Sequence, residues 1–150
     1  MTEVWFYHLQ GQPLDRVLPN LLERSLERGW RIVVQAASDE RVEALDAHLW
    51  TYREDGFLPH GTYRDGEASA QPVLISVDDK NPNGANVRFL LDGASLPADA
   101  AAYQRIVLLF DGQDPDAVAQ ARERWSAAKA AGFAVSYLHT DEHGRWQRSG

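Results

Sequence analysis

The first fifty residues change hydrophobic period from strand to helix twice, and this alternation constrains the fold more than any other feature. Glu3 to Leu9, with Val4, Trp5, Phe6 and Tyr7, is an apolar and aromatic run of strand length. Pro13 then opens a segment in which Leu14, Val17, Leu18, Leu21, Leu22 and Leu26 recur at helical spacing. Pro19 lies near its first turn and Gly29 stands where a C-terminal cap belongs. Trp30 to Ala36, carrying Ile32-Val33-Val34, returns to strand character. Ser38 reads as the N-cap of a second helix, with Asp39 and Glu40 in its first turn and Val42, Leu45, Leu49 and Trp50 on one face. A β-α-β-α order predicts helices wrapped on a parallel sheet through right-handed crossovers.

The rest of the chain continues the pattern. Arg53 to Gln71, rich in Gly, Asp and aromatics, reads as a long surface loop of the kind that often carries function. Strands are expected at Pro72–Val77, Val87–Leu91, Gln104–Phe110 and Phe133–His139, with a turn over Asp78–Ala85 and a short helix over Ala98–Tyr103. Asp114-Pro115 starts the last helix and Gly132 ends it. The polar tail to Gly150 is expected to fray. At 150 residues and 44% hydrophobic content the chain can bury one good core. The expected fold is therefore α/β: a single domain over residues 1–150, built as a three-layer α/β/α sandwich with a mostly parallel central sheet.

Composition removes several function classes. There is no cysteine, which excludes a disulfide framework, a thiolate metal site and a cysteine nucleophile, and fits a reducing cytoplasm. No apolar stretch has the length of a membrane span, and the N-terminus lacks a basic leader, so a cytoplasmic protein without membrane contact is expected. A formal net charge of −7 argues against strong direct nucleic-acid binding. No glycine motif for a dinucleotide or a P-loop occurs, no nucleophile elbow is present, and His139-x-x-x-His143 is a poor metal spacing, so no cofactor is expected.

Two groups of residues carry candidate chemistry. In the last helix Arg122, Trp125 and Lys129 fall at i, i+3 and i+7 on one face, with Arg124 close by. Cations beside an aromatic suit a short peptide that ends in a carboxylate and an aromatic side chain. The same helix also reads as an ordinary core stripe of Val118, Ala121, Trp125 and Ala128. Separately, Asp78 with Asp79, Asp92 and Asp111 each follow a strand, where an open α/β sheet forms ligand or Mg²⁺ sites. That pattern supports an alternative reading as a small Mg²⁺-dependent enzyme, although aspartate is also a common turn residue.

Taken in order, Phe6-Tyr7-His8-Leu9, Gly29-Trp30-Arg31-Ile32-Val33-Val34, Leu45-Asp46 to Leu49-Trp50, Phe57-Leu58-Pro59-His60-Gly61, Ala121-Arg122-Glu123-Arg124-Trp125 and Lys129-Ala130-Ala131-Gly132-Phe133 resemble the chi subunit of the bacterial DNA polymerase III holoenzyme. The resemblance runs nearly end to end. It implies an accessory, non-catalytic subunit that links the clamp-loader complex to single-stranded-DNA-binding protein, whose acidic C-terminal tail ends in Pro-Phe. By resemblance Arg122 is the key arginine for that tail and Trp125 an aromatic beside it, with Lys129 and Arg124 adding attraction for the tail's aspartates. Ser126 departs from the pattern, because a lysine stands there in the family member compared. The resemblance further implies a second surface, around Trp50, Phe57, Leu58, Pro59 and His60, for the psi subunit or a clamp-loader subunit. A purely structural subunit, with an idle basic patch, is the third reading.

Overall fold

The computed structural model describes residues 2–52 and 58–149. Strand β1 (Glu3–Leu9) leads through α1 (Leu14–Glu27) to β2 (Ile32–Gln35), and α2 (Asp39–Thr51) leads on to β3 (Gly61–Thr62) and β4 (Val73–Ser76). Then come β5 (Val87–Leu90), β6 (Arg105–Asp111), α3 (Pro115–Ala130), β7 (Ala134–Thr140) and β8 (Trp146–Ser149). They form one eight-stranded sheet of order β3-β4-β2-β5-β6-β1-β7-β8. Every pairing is parallel except that of β7 with β8.

Because successive strand residues point to opposite faces, each strand feeds two cores. Tyr7, Leu9, Ile32, Val34, Val107 and Leu109 pack with Val17, Leu18, Leu21 and Leu22 of α1 and Val42, Leu45 and Leu49 of α2. Val4, Phe6, Val33, Ile106 and Leu108 pack on the other side, with Ala121 and Ala128 of α3. The result is the expected three-layer α/β arrangement on a largely parallel sheet. The helix ends follow local chemistry: Ser38 Oγ accepts from the Arg41 N–H at 3.2 Å, and the Asp114 carboxylate accepts from the Asp116 N–H at 3.0 Å. Gly29 and Gly132, both at positive φ, close α1 and α3.

The structure departs from the sequence expectations at several places, among them the short helix expected over Ala98–Tyr103, which is a 3-10 turn at Ala100–Ala102. Strand β2 starts at Ile32 rather than Trp30, because the Trp30 N–H is spent on the Ser25 carbonyl in closing α1. The tail does not fray: the Asp141 carboxylate accepts from the His143 and Arg145 N–H groups at 2.9 Å, turning the chain so that β8 pairs with β7. Trp146 then packs against Tyr7 with ring centroids 5.1 Å apart. The described part of the 53–71 segment holds β3 and two short 3-10 turns, at Tyr63–Asp65 and Ala68–Ala70, rather than a plain loop. Trp50 does not share the buried face of α2, being 55% exposed while Val42, Leu45 and Leu49 are buried.

On the α3 side, α3 packs against β1, β6 and β7, and among the described residues no α-helix covers β2, β4 and β5. Loops do so instead, held by one cation. Arg88 of β5 is fully buried between its sheet neighbours Val33 and Ile106. Its guanidinium donates to Tyr103 Oη at 2.9 Å, Gln35 Oε1 at 2.7 Å, the Asp78 carbonyl at 3.2 Å and the Lys80 carbonyl.

Candidate functional site

Small residues of α3 sit beside a cavity between this helix and the sheet. Ala121 and Ala128 are the buried residues of α3, and their small side chains face the sheet. Larger residues flank them. Phe6 and Trp125 meet across the helix–sheet boundary, ring centroids 5.2 Å apart. Beyond that contact opens a cavity of about 490 Å³, walled on the helix side by Val118, Ala121, Arg122 and Trp125. The sheet side is supplied by Phe6 and His8 of β1, Phe110 of β6, Tyr137 of β7 and Ser149 of β8. These are register neighbours: His8 opposes Phe110, Phe6 opposes Tyr137, and Tyr137 opposes Ser149. Parallel pairing therefore sets side chains more than a hundred residues apart in one row.

Chemically the cavity is an aromatic box with a cation at its mouth. Arg122 is exposed and Trp125 half-buried. The Lys129 ammonium lies 5.6 Å from the Trp125 ring centroid, a cation–π distance. His8 hydrogen-bonds through Nδ1 to Tyr137 Oη and stacks near Phe110, 5.0 Å between centroids. Burial lowers the His8 pKa from 6.5, the His139 imidazole adds to the fall, and Asp111 opposes it. Burial likewise raises the Tyr137 phenol above its ordinary value.

The structure sorts the sequence candidates. Arg122 and Trp125 meet at the cavity and Lys129 borders it through the indole. Arg124 does not: it turns to the other side of α3, donating to the Gly93 carbonyl at 2.8 Å and pairing with Glu123 at 3.5 Å. Trp125 packs on Phe6 and also lines the cavity, so it belongs at once to the core stripe and to the cavity wall. Missed in the sequence were His8, Phe110 and Tyr137. A histidine two residues after Phe6 in a buried strand was the available signal, because period-2 alternation places both on one face.

Around the second candidate surface, Phe57 lies outside the described residues. Leu58 is buried, and so is His60, whose Nδ1 bonds the Leu58 carbonyl at 2.7 Å while Nε2 lies 3.0 Å from the Asp46 carboxylate. Pro59 is half-buried. Trp50 packs at a tilt against His60 with centroids 4.8 Å apart, so Leu58 and His60 support a platform that exposes Trp50.

Asp78, Asp92 and Asp111 are taken up by hydrogen bonds within the fold. Asp78 accepts from the Lys80 N–H at 3.0 Å, and Asp111 from the Gln113 N–H at 2.9 Å. Asp92, at φ 56°, accepts from the Ala37 N–H at 3.2 Å and faces Arg41 Nε at 3.5 Å. Among the described residues no group of three or more His, Asp or Glu is placed to hold a metal ion. Likewise, no helix is long and apolar enough to cross a membrane.

Residues 1–136 match the family described as DNA polymerase III chi subunit, HolC. The chain belongs to that family. It is 26% identical to the DNA polymerase III subunit chi of Escherichia coli (strain K12), over 89% of this chain and 95% of that protein. To the same subunit of Pseudomonas aeruginosa it is 28% identical, over 89% and 93%. To the "Probable DNA polymerase III subunit chi" of Rickettsia prowazekii (strain Madrid E) it is 26% identical, over 74% and 71%. The chain is thus an accessory subunit in DNA replication rather than a catalytic one, and the Mg²⁺-enzyme reading of Asp78, Asp92 and Asp111 falls.

Proposed function

We propose that the chain is a replisome adaptor. Its α3 cavity takes the acidic C-terminal tail of single-stranded-DNA-binding protein, and the Trp50 platform joins the psi subunit or a clamp-loader subunit. The observation that carries the reading is the convergence of Arg122 and Trp125 on one aromatic cavity of about 490 Å³. A C-terminal phenylalanine fills apolar space of that kind, while its carboxylate reaches the guanidinium at the mouth. Lys129, beside the indole, adds attraction for aspartates further up the tail. Arg124, turned away and paired with Glu123, contributes only at longer range. Two modest contacts on separate surfaces raise the effective concentration of one partner near the other without catalysis.

A fluorescent peptide ending in Asp-Ile-Pro-Phe tests the tail site. Binding on the order of micromolar, weakened by salt and reduced at least about tenfold by Arg122→Ala, is the expected result. Binding that ignores Arg122 and Trp125 refutes the site. Pull-down of psi or of the clamp-loader complex by the native chain and by Trp50→Ala tests the second surface, where loss of capture in the variant is expected.

A further inference from the structure

A carboxylate entering an apolar cavity has about four lone-pair sites to satisfy, and one exposed arginine at the mouth does not satisfy them all. Apart from the indole N–H, the other polar side chains lining the cavity are His8, Tyr137 and Ser149, all on the sheet side. His8 is held in place from three directions. Its Nδ1 bonds Tyr137 Oη, its ring lies along Phe110, and its Nε2 edge rests on Gly112, where a Cβ would fall 1.8 Å from that nitrogen. A side chain so fixed, with one face toward a cavity, is arranged to act on what enters it.

We infer that His8 and Tyr137 form a second, proton-dependent pole of the cavity, which grips the terminal carboxylate of an acidic peptide more tightly when the imidazole is protonated. This rests on the tail-binding reading of the same cavity. When Nδ1 carries no proton it accepts the Tyr137 hydroxyl hydrogen, which is then unavailable to a ligand. On uptake of one proton, Nδ1–H donates to Tyr137 Oη, and the hydroxyl hydrogen turns toward another acceptor. The ligand's carboxylate then gains a phenolic donor and a nearby positive charge together. The charged and titratable groups around His8 are Tyr137 and His139 of β7, Asp111 at the end of β6 and Arg122 of α3. Of these only Asp111 is anionic, and it is exposed outside the cavity lining with its carboxylate on the Gln113 N–H.

The test is affinity for the Asp-Ile-Pro-Phe peptide between about pH 8 and about pH 5.5, where the peptide's own carboxylates stay ionised. In the native chain, affinity should rise on the order of fivefold toward the acid end, with proton uptake seen as a buffer-dependent heat. His8→Gln and Tyr137→Phe should both bind with a flat pH profile, whereas His139→Gln should keep the rise. A peptide ending in an amide should lose it. NMR titration should find the His8 imidazole titrating below its ordinary range in the free chain and shifted upward by the peptide. A flat native profile, or a rise that survives in His8→Gln, overturns this proposal while Arg122-dependent binding leaves the tail site standing. Absence of binding at every pH overturns both.

Discussion

His48 Nε2 lies 2.6 Å from the backbone carbonyl of Asp15, the oxygen that Pro19 leaves without its helical partner. In an uninterrupted α1 the N–H of residue 19 would donate to residue 15, and proline has none. A histidine on α2 replaces that bond from the neighbouring helix. Pro19 and His48 together therefore tie α1 to α2 where α1 lacks one backbone hydrogen bond.

His48→Leu should cost about 1 kcal/mol of stability, the net worth of one hydrogen bond. In a Pro19→Ala background, where a backbone N–H returns, the same substitution should cost markedly less. A double-mutant cycle by urea denaturation reads the coupling, and equal costs in both backgrounds would refute the replacement.

Arg88 makes the opposite kind of contribution, since it is buried and held by a phenol, an amide and two carbonyls. Arg88→Met should lower stability by roughly 2 to 4 kcal/mol, because the Asp78 and Lys80 carbonyls lose their donor under cover. Hydrogen exchange should rise first in the 78–86 loop. Arg88→Lys should restore little, since one ammonium does not reach acceptors that a planar fork spans.

Around the platform, exposure separates Trp50 from the buried residues that support it. Trp50→Ala should change stability by less than about 0.5 kcal/mol, whereas Leu58→Ala should cost about 2 to 4 kcal/mol by opening a cavity. Thermal melts of the two variants check this. If Trp50→Ala also abolishes partner capture at unchanged stability, the platform is an interface.

The depressed His8 pKa has a stability consequence whose sign is fixed. Unfolded, the imidazole titrates near 6.5; folded, it titrates lower, chiefly from burial and then from His139. The unfolded chain therefore binds more protons in the window below 6.5, and stability falls as pH drops through it. The His8 contribution is fully present above that window. Denaturation midpoints measured across it should slope less in His8→Gln than in the native chain, and equal slopes would remove the linkage.

Hydrophobic period, caps and proline placement let the sequence alone determine the element order, the α/β class, the buried face of α1 and the start of α3 at Asp114-Pro115, because these depend on neighbours within a turn or two. It also singled out Arg122 and Trp125, which share a face by helical spacing alone. Their cavity mates were hidden. His8, Phe110 and Tyr137 become neighbours through β1–β6 and β1–β7 registers, and register depends on which strands pair. The same holds for Arg124, whose turn away from the cavity is decided by the carbonyls of Gly93 and Ala94 across the fold. The tail was expected to fray because its polar residues form β8 only through pairing with β7. Local chemistry dictates what each segment becomes; only tertiary packing decides which side chains share a cavity, since that proximity is created by strand order and not by separation along the chain.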